Sequence, residues 1–139
     1  MNPLDSKIIA VDFDGTIVED AYPAIGKPMP FAFETLKMLQ QDGHRLILWT
    51  YRHGTKLRDA VEFCKENGID FYAVNASFGE EQFSEKEASR KINADLFIDD
   101  RNFGGFPGWG EIYHKIKGEE PELNKKKARR SSKKGFFRF

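Results

Sequence analysis

Short apolar runs alternate with stretches of helical period along most of the chain. Ile8-Ile9-Ala10-Val11 is a continuous, β-branched-rich run that reads, through Phe13, as a strand buried on both faces. Residues 16–30 break the pattern with Pro23, Gly26, Pro28 and Pro30, which predicts a loop or a small flap. Pro30 suits a first helical turn, and Ala32, Leu36 and Leu39 follow at helical spacing until Gly43 ends the run. Arg45 to Trp49 predicts a second strand, closed by Thr50. Leu57, Ala60, Val61 and Cys64 give the next helix one apolar face before Asn67-Gly68 stops it. Phe71 to Val74 and Asp95 to Ile98 predict the third and fourth strands, separated by a polar segment, 75–94, with a weakly helical stretch around Glu80 to Lys91. The Gly-rich loop 104–110 leads into a last helix containing Trp109, Ile112, Tyr113 and Ile116. Strands alternating with crossovers predict an α/β fold, a doubly wound, mostly parallel sheet with helices on both faces.

Composition adds a division that the pattern alone does not reveal. Of 139 residues, 1–118 carry 14 Lys and Arg against 19 Asp and Glu, whereas 119–139 carry 8 against 3, so a net charge of zero conceals −5 and +5. One domain over 1–118 and a basic tail over 119–139 follow as the expected organisation. The tail, Lys125-Lys126-Lys127-Ala128-Arg129-Arg130-Ser131-Ser132-Lys133-Lys134, has no apolar periodicity and is expected to be disordered in isolation. It is either a solvated extension or an electrostatic arm for nucleic acid or an anionic surface, with Phe136, Phe137 and Phe139 available for stacking. Cys64 is the single cysteine, which excludes an intrachain disulfide and a cysteine-based zinc site. Asp5 and Lys7 interrupt the N-terminus before the run 8–11, which is also too short to span a bilayer, so a cytoplasmic setting is the expectation.

The candidate chemistry lies at the strand ends. Asp12-Phe13-Asp14-Gly15-Thr16 follows the first strand, and Asp99-Asp100 follows Leu96-Phe97-Ile98. In a parallel sheet both ends meet on one edge, in the crevice where such folds bind ligands. Three or four carboxylates gathered there repel one another unless a cation sits between them. A hard ion such as Mg²⁺ accepts oxygen ligands and keeps waters that phosphate can replace, which makes the arrangement suited to phosphoryl transfer. An Asp-Gly turn accounts for one Asp of the first pair but poorly for the second.

The order DFDGT at 12–16, a strand ending in Thr50, a lysine within 86–91 and IDD at 98–100 resembles the four-motif signature of the haloacid dehalogenase (HAD) superfamily, over roughly residues 7–101. A response-regulator receiver also combines an acidic pair, a Thr and a Lys, but its acidic pair comes early and its lysine last. No GxxxxGK[ST] phosphate loop is present. The resemblance implies a Mg²⁺-dependent phosphomonoester hydrolase working through an aspartyl-phosphate. Within it Asp12 matches the nucleophile and Asp14 the general acid and base; Thr50 matches the hydroxyl that binds a phosphate oxygen. Lys91 is preferred over Lys86 as the charge-neutralising lysine, with Arg90 a less usual residue type for the role. Asp99 matches a metal ligand, Asp100 a second ligand or an orienting group, and Asp12 with the Asp14 carbonyl completes the metal set. Gly15, Thr50, Tyr51 and Arg52 form the expected substrate-binding set.

Several residues stay open on sequence alone. Arg52 and His53 follow Thr50 on a site-facing loop, where a phosphate contact and a plain loop role are equally served. His44 and His114 are expected at the surface, and Cys64 is expected to be packed rather than reactive. Neither 17–30 nor 75–94 can hold a folded cap, so the resemblance implies a capless member whose open site is closed by an oligomer or by a macromolecular phosphate. Two other readings compete: a nucleic-acid end-processing 3′-phosphatase or nucleic-acid-binding protein using the tail, and a non-catalytic domain that retains the fold.

Overall fold

Four short strands, β1 (Ile8–Val11), β2 (Arg45–Leu48), β3 (Ala73–Val74) and β4 (Leu96–Ile98), form one sheet in which every neighbouring pair is parallel. This is seen in a computed structural model that describes residues 5–118. The spatial order is β3-β2-β1-β4, so the chain steps outward through β1, β2 and β3 and then returns to the other side of β1. That reversal at β1 is the switch point at which open α/β sheets form their ligand crevice. Register fixes it further, with Val11 opposite both Leu48 and Ile98. Immediately beyond, the Asp12 N–H donates to the Ile98 carbonyl (2.9 Å) and the Trp49 N–H to the Val11 carbonyl (2.9 Å). The acidic residues after β1 and β4 are therefore anchored side by side.

The described residues fall into two compact units, dividing between Phe106 and Pro107, ahead of the change in charge at 118–119. In the first unit, α1 (Ala32–Gln41) connects β1 to β2 and α2 (Gly54–Glu66) connects β2 to β3. Ala32, Phe33, Leu36 and Leu39 are the buried stripe of α1, which packs on β2, and the Phe33 ring meets Phe63 of α2 edge-on at 5.8 Å. Cys64 is fully buried on α2, as its place on the apolar stripe implied. The second unit contains α3 (Trp109–Lys117), with Trp109 and Ile112 buried, three positions apart on one side.

The segment 75–94 departs from its expectation. No helix forms between Glu80 and Lys91. Ser84 and Ser89 instead accept the N–H groups of Lys86 and Lys91 with their hydroxyls, a local bonding mode that competes with helical hydrogen bonds. The segment nevertheless covers the sheet. Ala76 and Ile92 pack with Ala10, Ile47 and Ala73 on one sheet face, so irregular chain occupies a place where a helix was expected. His44 is also corrected, being buried rather than at the surface, with its Nδ1 accepting the Lys7 N–H at 3.0 Å. Burial lowers the pKa of its imidazole, which favours this neutral, accepting form. Among the described residues no helix is long and apolar enough to cross a membrane. The tail 119–139 and its Phe136, Phe137 and Phe139 lie outside the described residues.

Candidate active site

The chain leaves β1 in a tight turn. The Phe13 carbonyl accepts the N–H groups of Thr16, Ile17 and Val18, and Phe13, Thr16, Ile17 and Val18 are all fully buried. Gly15 makes the turn possible, with φ of +86° and a Cβ position that would lie 2.6 Å from Asp100 Oδ2. Its N–H is given to the Val18 carbonyl at 2.8 Å, so Gly15 shapes the loop and has no amide left for a phosphate. Beyond Val18 the chain forms the expected flap. Two arms pair through Glu19 N–H to Lys27 O (2.7 Å) and Met29 N–H to Ile17 O (2.8 Å), and the tip carries Asp20 and Tyr22.

Three carboxylates converge where β1 and β4 end. Asp12, Asp99 and Asp100 each offer an oxygen, and these atoms all lie within 4.8 Å of one another. Thr16 organises them: its hydroxyl accepts the Asp100 N–H at 2.9 Å and lies 3.1 Å from both Asp12 Oδ2 and Asp100 Oδ1. The cost of this crowding appears at Asp12, whose pKa is pushed from its usual 3.8 up to about 7. Burial contributes most, followed by the charge of Asp99 and by the neighbouring Asp100 carboxyl, while the Phe13 amide and the Thr16 hydroxyl oppose the shift. A half-buried set of oxygen donors that repel one another fits a hard divalent cation, whose charge would relieve the repulsion.

Beside the cluster opens a cavity of about 620 Å³ whose lining includes Asp12, Asp14, Thr50, Tyr51, Arg52 and Asp99, together with Asp20, Tyr22, Trp49 and Arg101. Thr50 is pinned by a residue that sequence reasoning missed. Its N–H donates to Asn75 Oδ1 at 2.8 Å, and Asn75 itself adopts a left-handed φ of 52°, which Asn tolerates better than most residues. The Thr50 hydroxyl accepts the Arg52 N–H at 3.2 Å, which leaves its own proton to donate. Tyr51 is almost fully exposed, at 95%, on the cavity edge.

Arg52 does something other than the expected phosphate contact. Among the described residues it is the largest fully buried side chain, and its guanidinium binds Asp14 bidentately, Nε to Oδ2 and Nη2 to Oδ1, both at 2.7 Å. Its remaining N–H groups go to the carbonyls of Pro23 (3.3 Å), Ala24 (2.8 Å) and Lys56 (3.4 Å). All five donors are committed. The hydrogen bond to Asp14 is also the main reason the pKa of Arg52 is raised.

The expected lysine is not at the cavity. Lys91 and Lys86 are exposed and line no part of it, and the Arg90 guanidinium sits over the Phe83 ring at 3.9 Å. The buried Ile92 anchors this stretch against one face of the sheet. Among the described residues the cations bordering the cavity are Arg52 and Arg101, and the Arg101 N–H donates to Asp99 Oδ1 at 2.9 Å. Thr16, Asn75 and Arg101 were not singled out from sequence. The signal for Thr16 was present in its place within DFDGT, whereas Asn75 had only its position after a strand to mark it.

A parallel α/β sheet with an acidic cluster and an adjoining cavity at its switch point defines the class of protein. The chain is similar to a solved structure of a conserved protein from Bacteroides thetaiotaomicron, with 56% identity over 84% of this chain and 93% of that one and a TM-score of 0.77. It belongs to the family of that conserved protein. No family model matches the chain, and neither does any curated protein.

Proposed function

We propose that the protein is a Mg²⁺-dependent phosphomonoester hydrolase, a capless member of the HAD-like superfamily that its motifs resemble. The observation carrying this reading is the convergence of Asp12, Asp99 and Asp100 within 4.8 Å at the ends of two adjacent parallel strands. Asp12, Asp99 and Asp100 would hold the cation, which supplies the positive charge that lets a carboxylate approach a phosphate dianion.

The reaction follows from the protein groups. An Asp12 oxygen attacks phosphorus, and the bond to the leaving oxygen breaks as that oxygen takes a proton from Asp14. Water, giving its proton back to Asp14, then attacks the aspartyl-phosphate, releasing inorganic phosphate and restoring the Asp12 carboxylate. Thr50 donates its hydroxyl proton to a phosphate oxygen, which its bond from the Arg52 N–H orients it to do. Tyr51 and the open cavity leave room for a substrate whose leaving group extends into solvent, small or macromolecular.

The covalent step gives the test. Asp14→Asn should slow the attack of water more than the attack of Asp12, so that quenched reactions carry one phosphoryl group, located on Asp12 by peptide mass spectrometry. A phosphoryl group on another residue, or turnover of a phosphate ester with none on Asp12 in this variant, would remove the nucleophile from the account.

A further inference from the structure

Arg52 has an unusual set of partners for a residue beside a phosphate cavity. The two oxygens of Asp14 take its Nε and one Nη2 proton, and three backbone carbonyls take the rest. Two of those carbonyls, Pro23 and Ala24, belong to the flap tip, and Lys56 belongs to the first turn of α2. Two rings also lie against the guanidinium, its carbon being 5.1 Å from the centroid of the buried Phe13 ring and 5.1 Å from that of the flap residue Tyr22. One side chain thus joins the flap, the proton-transfer carboxylate and the start of α2.

We propose that Arg52 is a positioning residue that locks Asp14 and the flap into a single unit, so that the flap cannot move without carrying the proton-transfer carboxylate with it. The proposal rests on the phosphatase reading for its kinetic consequence and on the geometry alone for its structural one. Only a planar fork with five donors can hold two carboxylate oxygens and the flap carbonyls together. A lysine at the same place keeps the charge but has three donors on one nitrogen, which cannot reach all of them. Each Asp14 oxygen retains a lone pair beyond its bond to Arg52, and it is there that the held carboxyl carries the proton it gives to the leaving oxygen and takes back from water.

The test compares Arg52→Lys and Arg52→Gln with the wild-type full chain in two readouts. The first is hydrogen exchange at the flap. The amides of Glu19 and Met29, which close the flap arms, should exchange faster in both variants while those of β1 stay unchanged; equal flap exchange in all three proteins overturns the lock. The second is turnover of two esters in Mg²⁺. An alkyl phosphate needs its leaving oxygen protonated and p-nitrophenyl phosphate does not, so Arg52→Gln should lower kcat for the alkyl ester by about 100-fold and for the aryl ester by under about 10-fold, with KM little changed. Arg52→Lys should fall between. Equal losses for the two esters would mark Arg52 as a merely structural residue and overturn the positioning role. A wild-type protein that turns over neither ester removes the phosphatase reading and the kinetic half with it, while flap exchange still decides the lock.

Discussion

The Thr16 hydroxyl accepts the Asp100 N–H at 2.9 Å and lies 3.1 Å from the carboxylate oxygens of both Asp12 and Asp100, so one buried side chain ties the end of β4 to the end of β1. Residues 84 positions apart are thereby held in register at the site. Thr16→Val keeps the shape but leaves the Asp100 amide without its acceptor. The variant should lose about 1–3 kcal/mol of stability in urea unfolding, the scale of an unsatisfied buried donor, and Thr16→Ser should recover most of it. A Val variant as stable as wild type would show that the hydroxyl ties nothing.

Asp12 makes the metal-free protein pH-sensitive. Its folded pKa of about 7 lies above its usual 3.8, so its contribution to stability is complete below about 3.8 and is lost as pH rises toward 7. Asp12→Asn removes that loss. The variant should therefore gain in Tm relative to wild type as pH rises from 4 to 7 in EDTA, with the difference levelling off above 7. A difference independent of pH would contradict the crowding of Asp12 by burial and by Asp99.

Gly15 sits where a side chain has neither the backbone conformation nor the space. Gly15→Ala should cost about 1–2 kcal/mol for the left-handed φ, and it should also displace the Asp100 carboxylate that its Cβ would meet. Weaker stabilisation by Mg²⁺ in thermal melts would read the second effect separately from the first.

Cys64 is buried on α2, and burial pushes its thiol up to about 12. It should resist alkylation at pH 8 in the folded protein and react once urea unfolds the chain. Fast alkylation under native conditions would mean that the packing around α2 opens readily.

The strand ends were legible because local pattern and chemistry coincided there: an apolar run that stops at Asp12 and another that stops at Asp99 bring their acidic ends together only if the strands run parallel. The helices α1 and α2 were legible from their apolar stripes, and Gly43 and Asn67-Gly68 marked where they stop. Segment 75–94 was not, because Ala76 and Ile92 cover the sheet from isolated positions with no repeat to mark them. Lys91 was preferred for its closeness in sequence to β4; it is exposed and does not line the cavity, while its neighbour Ile92 is buried against the sheet. The pairing of Arg52 with Asp14 spans 38 positions, and nothing in either local sequence encodes a partner at that distance.

Turnover of p-nitrophenyl phosphate by wild type and Asp12→Asn, each in Mg²⁺ and in EDTA, decides whether Asp12 is the nucleophile of a metal-dependent phosphatase. Wild type should hydrolyse the ester in Mg²⁺ alone, and the variant should lose at least about 10³-fold, the scale on which enzymes lose a nucleophile. Hydrolysis that survives in EDTA, or that the Asn variant performs as fast as wild type, would contradict it.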